Sequence, residues 1–306
     1  MVTGGAGFIG SHIVDKYVAL GHEVVVVDDL TTGKKENINP NAMFYRVDLR
    51  NKNKIAAAVN REKPDVINHQ AAQKSVSHSV SDPTHDAEIN IIGFLNLMEA
   101  AKQFGIKKVI FSSTGGAIYG DAKDIPTPET YPPQPVSPYA ITKFTTEQYL
   151  RFYFQTAGII PVILRYSNVY GPRQDPFGEA GVVAIFSKLM SEGKPMTVFG
   201  DGKQTRDYVF VKDVAQASVK ALQYQPKNFD DAIINIGTGV ETPLNSIVTL
   251  LEDVSGKKAD VKHEPARDGD LLRSAIGITK AKKMLDWAPE TKLSDGIEKT
   301  YGYFAR

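Results

Sequence analysis

Apolar residues along this chain alternate between two spacings. Ile9, Ile13, Val14, Tyr17 and Val18 recur at helical intervals and stop at Gly21. The continuous apolar run Val24 to Val27 follows, too short for a helix and closed by Asp28, the pattern of a strand buried on both faces. The same alternation predicts a strand at Phe44–Val47, a helix at Ile55–Val59, a strand at Val66–His69, a long helix from Thr84 to Phe104 and a strand from Lys107 to Phe111. A Pro-rich stretch, 121–138, then leads into a helical pattern over 139–155 and a strand at Val162–Tyr166. Strand–helix–strand order with buried-type strands predicts an α/β fold, a doubly wound parallel sheet of Rossmann type. Only Met1, Val2 and Thr3 precede the first turn, too few for the usual five-residue strand, so either the start is trimmed or the first strand is unusually short. Beyond residue 166 the pattern loosens into turns rich in Gly, Pro and charge at 171–181 and 200–207, with short helices between them. The expected division is a sheet domain over 1–166, rejoined by a returning strand near 232–237, and a smaller α/β domain over 167–306.

Composition narrows the partners. With 42% hydrophobic and 23% charged residues, the 306-residue chain reads as an ordinary soluble globular protein. A net charge of +1 gives no reason to expect nucleic acid or an anionic membrane as partner. No apolar run approaches a membrane span, no signal peptide precedes the first motif, and the absence of cysteine excludes disulfides and thiolate metal sites. The six histidines show no ligand spacing, so a cytoplasmic, metal-free enzyme is expected.

Chemistry enters with the first turn. Residues 4–11 read GGAGFIGS, in which Gly4, Gly7 and Gly10 permit a tight turn and close approach of backbone to a pyrophosphate. Phe8 and Ile9 open the helix that follows and belong to the same candidate dinucleotide site. Asp28 lies 18 residues after Gly10, where a carboxylate meets ribose hydroxyls and repels a 2′-phosphate, so NAD is expected rather than NADP. Asp48, just past a strand end, is placed to reach the adenine, while His69 reads as a packing residue. Ser112, Ser113 and Thr114 bring hydroxyls to the carboxyl end of a central strand, where such sheets bind ligands.

Three Tyr-x-x-x-Lys spacings occur. Tyr119 and Lys123 fall in a loop, and Tyr208 and Lys212 in a strand running into a turn, where four residues span about 13 Å. Only Tyr139 and Lys143 have a capping Ser137 and a first-turn Pro138 before them, and so share one helical face. A nearby ammonium favours a phenolate, so Lys143 is expected to lower the phenol of Tyr139 and make it a general base.

TGGAGFIGS, Asp28, SST at 112–114, YAITK at 139–143 and NVYGPR at 168–173 together resemble the extended short-chain dehydrogenase/reductases over essentially the whole chain. FSSTGGAIYG, GEAGVVAIF at 178–186, FGDGKQTRDYVFVKDV at 199–214 and RDGD at 267–270 look like the branch that inverts carbon 4 of UDP-hexoses. The resemblance implies a bound NAD and a UDP-glucose/UDP-galactose substrate, oxidised transiently to a 4-keto sugar that turns over and is reduced on its other face. It implies Thr114 on the sugar 4-oxygen, Tyr139 as base, and Lys143 as the group that tunes it and holds the nicotinamide ribose. It also implies Lys74 near the pyrophosphate and the substrate, and Asn90 beside the cofactor. Asn168, Arg206, Arg267 and Asp270 are implied to grip the UDP. Ser274, four past Asp270, is implied to line the sugar pocket and, being small, to admit the N-acetylated pair as well. Related dehydratases and decarboxylases carry an acid just after the Thr, where this chain has Gly115 and Gly116. Those activities, and a non-enzymatic NAD(H)-binding regulator, are the alternatives. Helices at 86–104 and 139–155 carry more apolar positions than one buried face requires, and Phe144, Tyr149, Phe152 and Tyr153 go nearly around the second, which predicts a homodimer through a helix bundle.

Overall fold

The computed structural model describes residues 1–177, 181–266 and 271–306. It begins with a two-residue strand, β1 (Val2–Thr3), the glycine turn and α1 (Phe8–Ala19). β2 (Val25–Asp28), β3 (Met43–Arg46), α2 (Lys52–Glu62) and β4 (Val66–His69) follow. Next come α3 (Val76–Ser81), α4 (Pro83–Ala87), a π-helical turn (Glu88–Gly93) and α5 (Phe94–Gln103). β5 (Lys108–Thr114), the long α6 (Pro138–Ala157) and β6 (Ile160–Tyr166) complete this part. The seven-stranded sheet has the order β11-β6-β5-β4-β1-β2-β3, where β11 is Ile233–Ile236, and every pairing in it is parallel. Two residues suffice for β1 because it is central, with Val2 opposite Val26 on one side and Asn68 on the other.

Period-two alternation sorts the strand residues into layers. Val109 and Phe111 of β5 pack with Ile55, Leu97 and Leu150 from α2, α5 and α6 on one face. Ile110, between them, points into the opposite layer with Leu164, Ile234 and residues of the helix 211–223. α1 covers the neighbouring part of that face through Ile13, Val14 and Tyr17.

After β6 the chain forms β7 (Asn168–Tyr170), α7 (Val182–Glu192), β8 (Met196–Phe199), β9 (Thr205–Arg206) and β10 (Tyr208–Phe210). α8 (Val211–Gln223) and α9 (Phe229–Ala232) precede β11, and β12 (Thr242–Pro243), α10 (Leu244–Ser255) and β13 (Val261–Glu264) come after it. α11 (Thr279–Leu285) and α12 (Leu293–Phe304) end the chain. Phe186, Met196, Phe210, Ile247 and Ile297 build a separate core between α7, α10, α12 and the short strands.

Two expectations change here, and one holds with an addition. The helices beyond residue 166 are not short: α7, α8, α10 and α12 have 11, 13, 12 and 12 residues. Tyr208 and Lys212 belong to β10 running directly into α8, with no turn between, because Val211, Val214, Ala215 and Ala221 find a buried face at helical spacing. The expected long helix containing Asn90 runs without a break from Pro83 to Gln103, with the π-helical stretch inside it, and the unforeseen α3 stands before it, capped by Ser75 on His78 N–H.

Candidate active site

A cleft of about 1130 Å³ opens along the carboxyl ends of the sheet strands and runs on between α7, β8 and α10. Its floor is the glycine turn. Gly4 has φ +68°, and a Cβ there would stand 2.5 Å from the Ala71 nitrogen; one on Gly10 would stand 2.1 Å from the Gly4 carbonyl oxygen. The turn therefore brings bare backbone to the cleft, where Gly7, Phe8 and Ile9 line it. α1 starts there with no side-chain cap and no acid in its first turn, leaving its N–H groups and dipole for an anion. Asp28 ends β2 at the rim, buried, with Oδ2 accepting Ala6 N–H at 3.0 Å and Oδ1 accepting Leu30 N–H at 2.9 Å. Burial pushes its carboxyl above the ordinary value and these two bonds pull it back. This cradle fits NAD: bare glycines and a free helix end suit its pyrophosphate, and a fixed acceptor suits a ribose diol. Replacing Asp28 by Ala is expected to weaken NAD binding and to relax discrimination against NADP, read by titration of both. Equal wild-type binding of the two cofactors would contradict the assignment.

Asp48 lines the same end, held by Arg50 through Nε at 3.0 Å and Nη2 at 2.7 Å, and this charged bond lowers its carboxyl pKa. Arg50, which also lines the cleft, was not signalled by the sequence pattern. Lys74 stands on the loop after β4 and lines the cleft too. Asn90 does not. Its amide clamps the backbone of Gln73, accepting from N–H at 2.9 Å and donating to the carbonyl at 3.0 Å, so it braces the loop that carries Lys74. His69 is a packing residue, its Nδ1 2.7 Å from Thr3 Oγ1 and its ring stacked on Phe111, with burial holding its pKa down to about 3.

The reacting end gathers Thr114 from the tip of β5 with Tyr139 and Lys143 from α6, all facing the cleft. Ser137 caps α6 by accepting Ala140 N–H at 3.3 Å, and Pro138 occupies its first turn. Lys143 donates to the Ser112 carbonyl at 2.9 Å and lies 4.9 Å from the centre of the Phe111 ring and 5.9 Å from that of Tyr139. Burial raises the phenol of Tyr139, and the charge of Asp86 raises it further. Burial also brings the Lys143 ammonium, 5.9 Å from that ring, down to about 8.

At the far end Asn168 and Arg206 line the cleft. Arg206 uses Nη1 on the carbonyls of Thr205 at 2.9 Å and Leu271 at 2.7 Å, which fixes the guanidinium on the wall. Phe186, Phe199 and Leu244 supply an apolar wall; the first two belong to the 178–186 and 199–214 stretches, but neither carries a role of its own in that pattern. Arg267 and Asp270 lie outside the described residues. Ser274, expected in the sugar pocket, is half-buried and not part of the lining. Its segment is held by Leu271 on Arg206, Leu272 on Thr205 and Ala275 on Thr127, and it meets the cleft wall through backbone.

Behind Thr114 lies a buried charge network that sequence reading missed. Arg165 of β6 donates to both Glu147 oxygens, Nε at 2.9 Å and Nη2 at 2.6 Å. Ser113 also donates to Glu147 at 2.6 Å, and Arg165 bonds Tyr119, which in turn bonds Asn235.

Residues 1–237 match the family described as NAD dependent epimerase/dehydratase. A UDP-glucose 4-epimerase of Mycolicibacterium smegmatis is 43% identical over 309 residues, covering 99% of this chain and 97% of that one. The crystal structure of a Thermotoga maritima UDP-glucose 4-epimerase with UDP-glucose superposes with a TM-score of 0.96 at 47% identity, covering 99% of this chain and 97% of that one. A Thermus thermophilus UDP-glucose 4-epimerase in complex with NAD gives 0.93 at 45% identity, with the same coverages. Among the described residues, no helix is long and apolar enough to cross a membrane.

Proposed function

The chain belongs to the NAD dependent epimerase/dehydratase family, and we infer that it is an NAD-dependent UDP-glucose 4-epimerase, an isomerase that interconverts UDP-glucose and UDP-galactose. The observation that carries this reading is the convergence of Thr114, Tyr139 and Lys143 at the middle of a cleft. The glycine turn and Asp28 lie at one end of that cleft, and Asn168 and Arg206 at the other. When bound, NAD supplies the group that takes up and returns hydride at sugar carbon 4. In our reading residues 1–166 hold it and 167–306 hold the UDP-sugar. Tyr139 accepts the 4-hydroxyl proton and gives it back, Thr114 hydrogen-bonds the 4-oxygen, and Lys143 holds the nicotinamide ribose. Asn168 and Arg206 tether the UDP while the sugar turns.

Gly115 separates this reading from the dehydratase alternative. Gly115 and the following Gly116 have no side chain, so the positions next to Thr114 lack the acid that elimination requires. The test is incubation of the purified protein with UDP-galactose. UDP-glucose is expected to accumulate to equilibrium without added NAD, and no conversion even with NAD supplied would remove the reading.

The finer substrate range also belongs to this proposal. Ser274 lies two residues before Ile276, which packs on Gly115 beside Thr114, so a bulky residue at 274 has to be housed next to the sugar end. Ser274→Tyr is expected to abolish turnover of the UDP-N-acetylglucosamine/galactosamine pair and spare the plain pair. Equal effects on both pairs would show that Ser274 is not the gate.

We further propose a cytoplasmic homodimer. Ile92 at the π turn and Ile141, Tyr149 and Phe152 on α6 are exposed at 50%, 49%, 36% and 51%, a run of apolar surface that a helix bundle between two copies would cover. Sedimentation is expected to show a dimer at micromolar concentration, and a monomer there would contradict this part.

A further inference from the structure

Asp86 is fully buried in α4, directly below the catalytic helix, and no step above uses it. Among the described residues its side chain has three hydrogen-bond partners, all neutral. Oδ1 accepts from Gln73 Nε2 at 2.9 Å and Asn90 Nδ2 at 3.0 Å, and Oδ2 accepts from Thr142 Oγ1 at 2.7 Å. Three donors converging on one group call for a group that only accepts. A buried charge answered by neutral donors is costly, however, and that cost needs a reason.

The partners supply one. Thr142 lies between Tyr139 and Lys143 on α6, and Gln73 precedes Lys74 on the loop after β4. Asn90 closes the net by bonding both backbone groups of Gln73 and, at 3.3 Å, Thr142 Oγ1. It reaches all of them from the π turn, whose extra residue per turn re-aims side chains and recurs at functional sites. Resting on the epimerase reading, we propose that Asp86 is a positioning residue: it fixes the Tyr139–Lys143 pair against the Lys74 loop and sets the charge balance beneath that pair.

Among the described residues, the ionisable groups that face the pair are Asp86 on α4, Glu147 on α6 and His69 on β4, while Lys74 lines the same cleft. Glu147 is neutralised by Arg165, and His69 is held uncharged by burial. Asp86 is thus the unpaired charge among them. It opposes ionisation of the Tyr139 phenol and supports the Lys143 ammonium against burial. Loss of this charge moves both groups in the same direction, to lower pH.

Asp86→Asn keeps the shape, and Thr142 can turn its hydroxyl to the Tyr139 carbonyl, 3.0 Å away. In the NAD-loaded, full-length protein with UDP-galactose, both limbs of the kcat–pH profile are expected to move to lower pH by about one unit. A purely structural role would lower kcat and leave the limbs in place, and unmoved limbs overturn the charge part. Tyrosinate absorbance, wild type minus Tyr139→Phe, reads the phenol without turnover and is expected to titrate at lower pH in the variant. An unmoved titration overturns the same part. Two further variants cut one arm each and leave the charge. Thr142→Val is expected to lower kcat several-fold, and Gln73→Leu to raise the KM for UDP-galactose more than it lowers kcat, both with unmoved limbs. Either behaving as wild type overturns the positioning part. An inactive wild type would instead count against the epimerase reading, and the absorbance titration would still test Asp86.

Discussion

Tyr139→Phe is expected to bind NAD as the wild type does and to lose turnover by on the order of a hundredfold or more, the usual worth of a positioned general base. The ring is kept, so its contact with Lys143, 5.9 Å from ring centre to ammonium, survives, as does the Lys143 bond to Ser112. Only the hydroxyl that moves the proton is removed. Raised by burial and by Asp86, that phenol is a poor base in this arrangement of the chain's own groups. The account therefore requires a bound cationic ring or substrate to complete its activation, and activity is expected to fall on the acid side of the profile. Near-normal turnover in Tyr139→Phe would transfer the role to Thr114 or to a water.

Arg165→Met is expected to cost about 3–5 kcal/mol of stability, because it strands the Glu147 carboxylate in the interior. The pair is 2% and 0% exposed, and Ser113 alone would remain to satisfy the acid. The urea midpoint should fall with little change in slope. The double variant Arg165→Met, Glu147→Leu is expected to recover most of the loss, since a packed apolar pair replaces two buried charges. A loss under about 1 kcal/mol in the single variant would place the network on the exposed side of the salt-bridge scale. Because Ser113 adjoins Thr114, the single variant should also lower turnover, whereas the urea midpoint reads stability alone.

Legibility from sequence followed locality. β4 is found where the apolar run Val66–His69 places it, and the cap, proline and Tyr–Lys spacing of α6 all lie within seven consecutive residues. The glycine turn and Asp28 were legible because a turn and the strand after it carry their own signature. What escaped depends on distance. Glu147 and Arg165 are 18 residues apart on a helix and a strand, and nothing near either announces the other. Asp86 reads as one more polar helix position until Gln73 and Thr142 are brought to it from 13 and 56 residues away. The π turn has no periodicity of its own that a helical pattern would betray. Beyond residue 166 the apolar pattern announces only β10 and β11; β7, β8 and β9 are two to four residues long and carry no clear alternation, and helices α7 and α10 bury their faces in a core the first sheet does not share. Spacing likewise shows that Lys143 is near Tyr139, and only the fold shows that its ammonium also donates to the Ser112 carbonyl.

The central claim is that hydrogen leaves carbon 4 of the sugar and returns to it within one closed cleft. It is tested most directly by turnover of UDP-galactose carrying deuterium at carbon 4. The account predicts UDP-glucose with the deuterium retained at carbon 4 and no change at carbon 6. Wash-out of the label to solvent, or loss of water from the sugar, would contradict it.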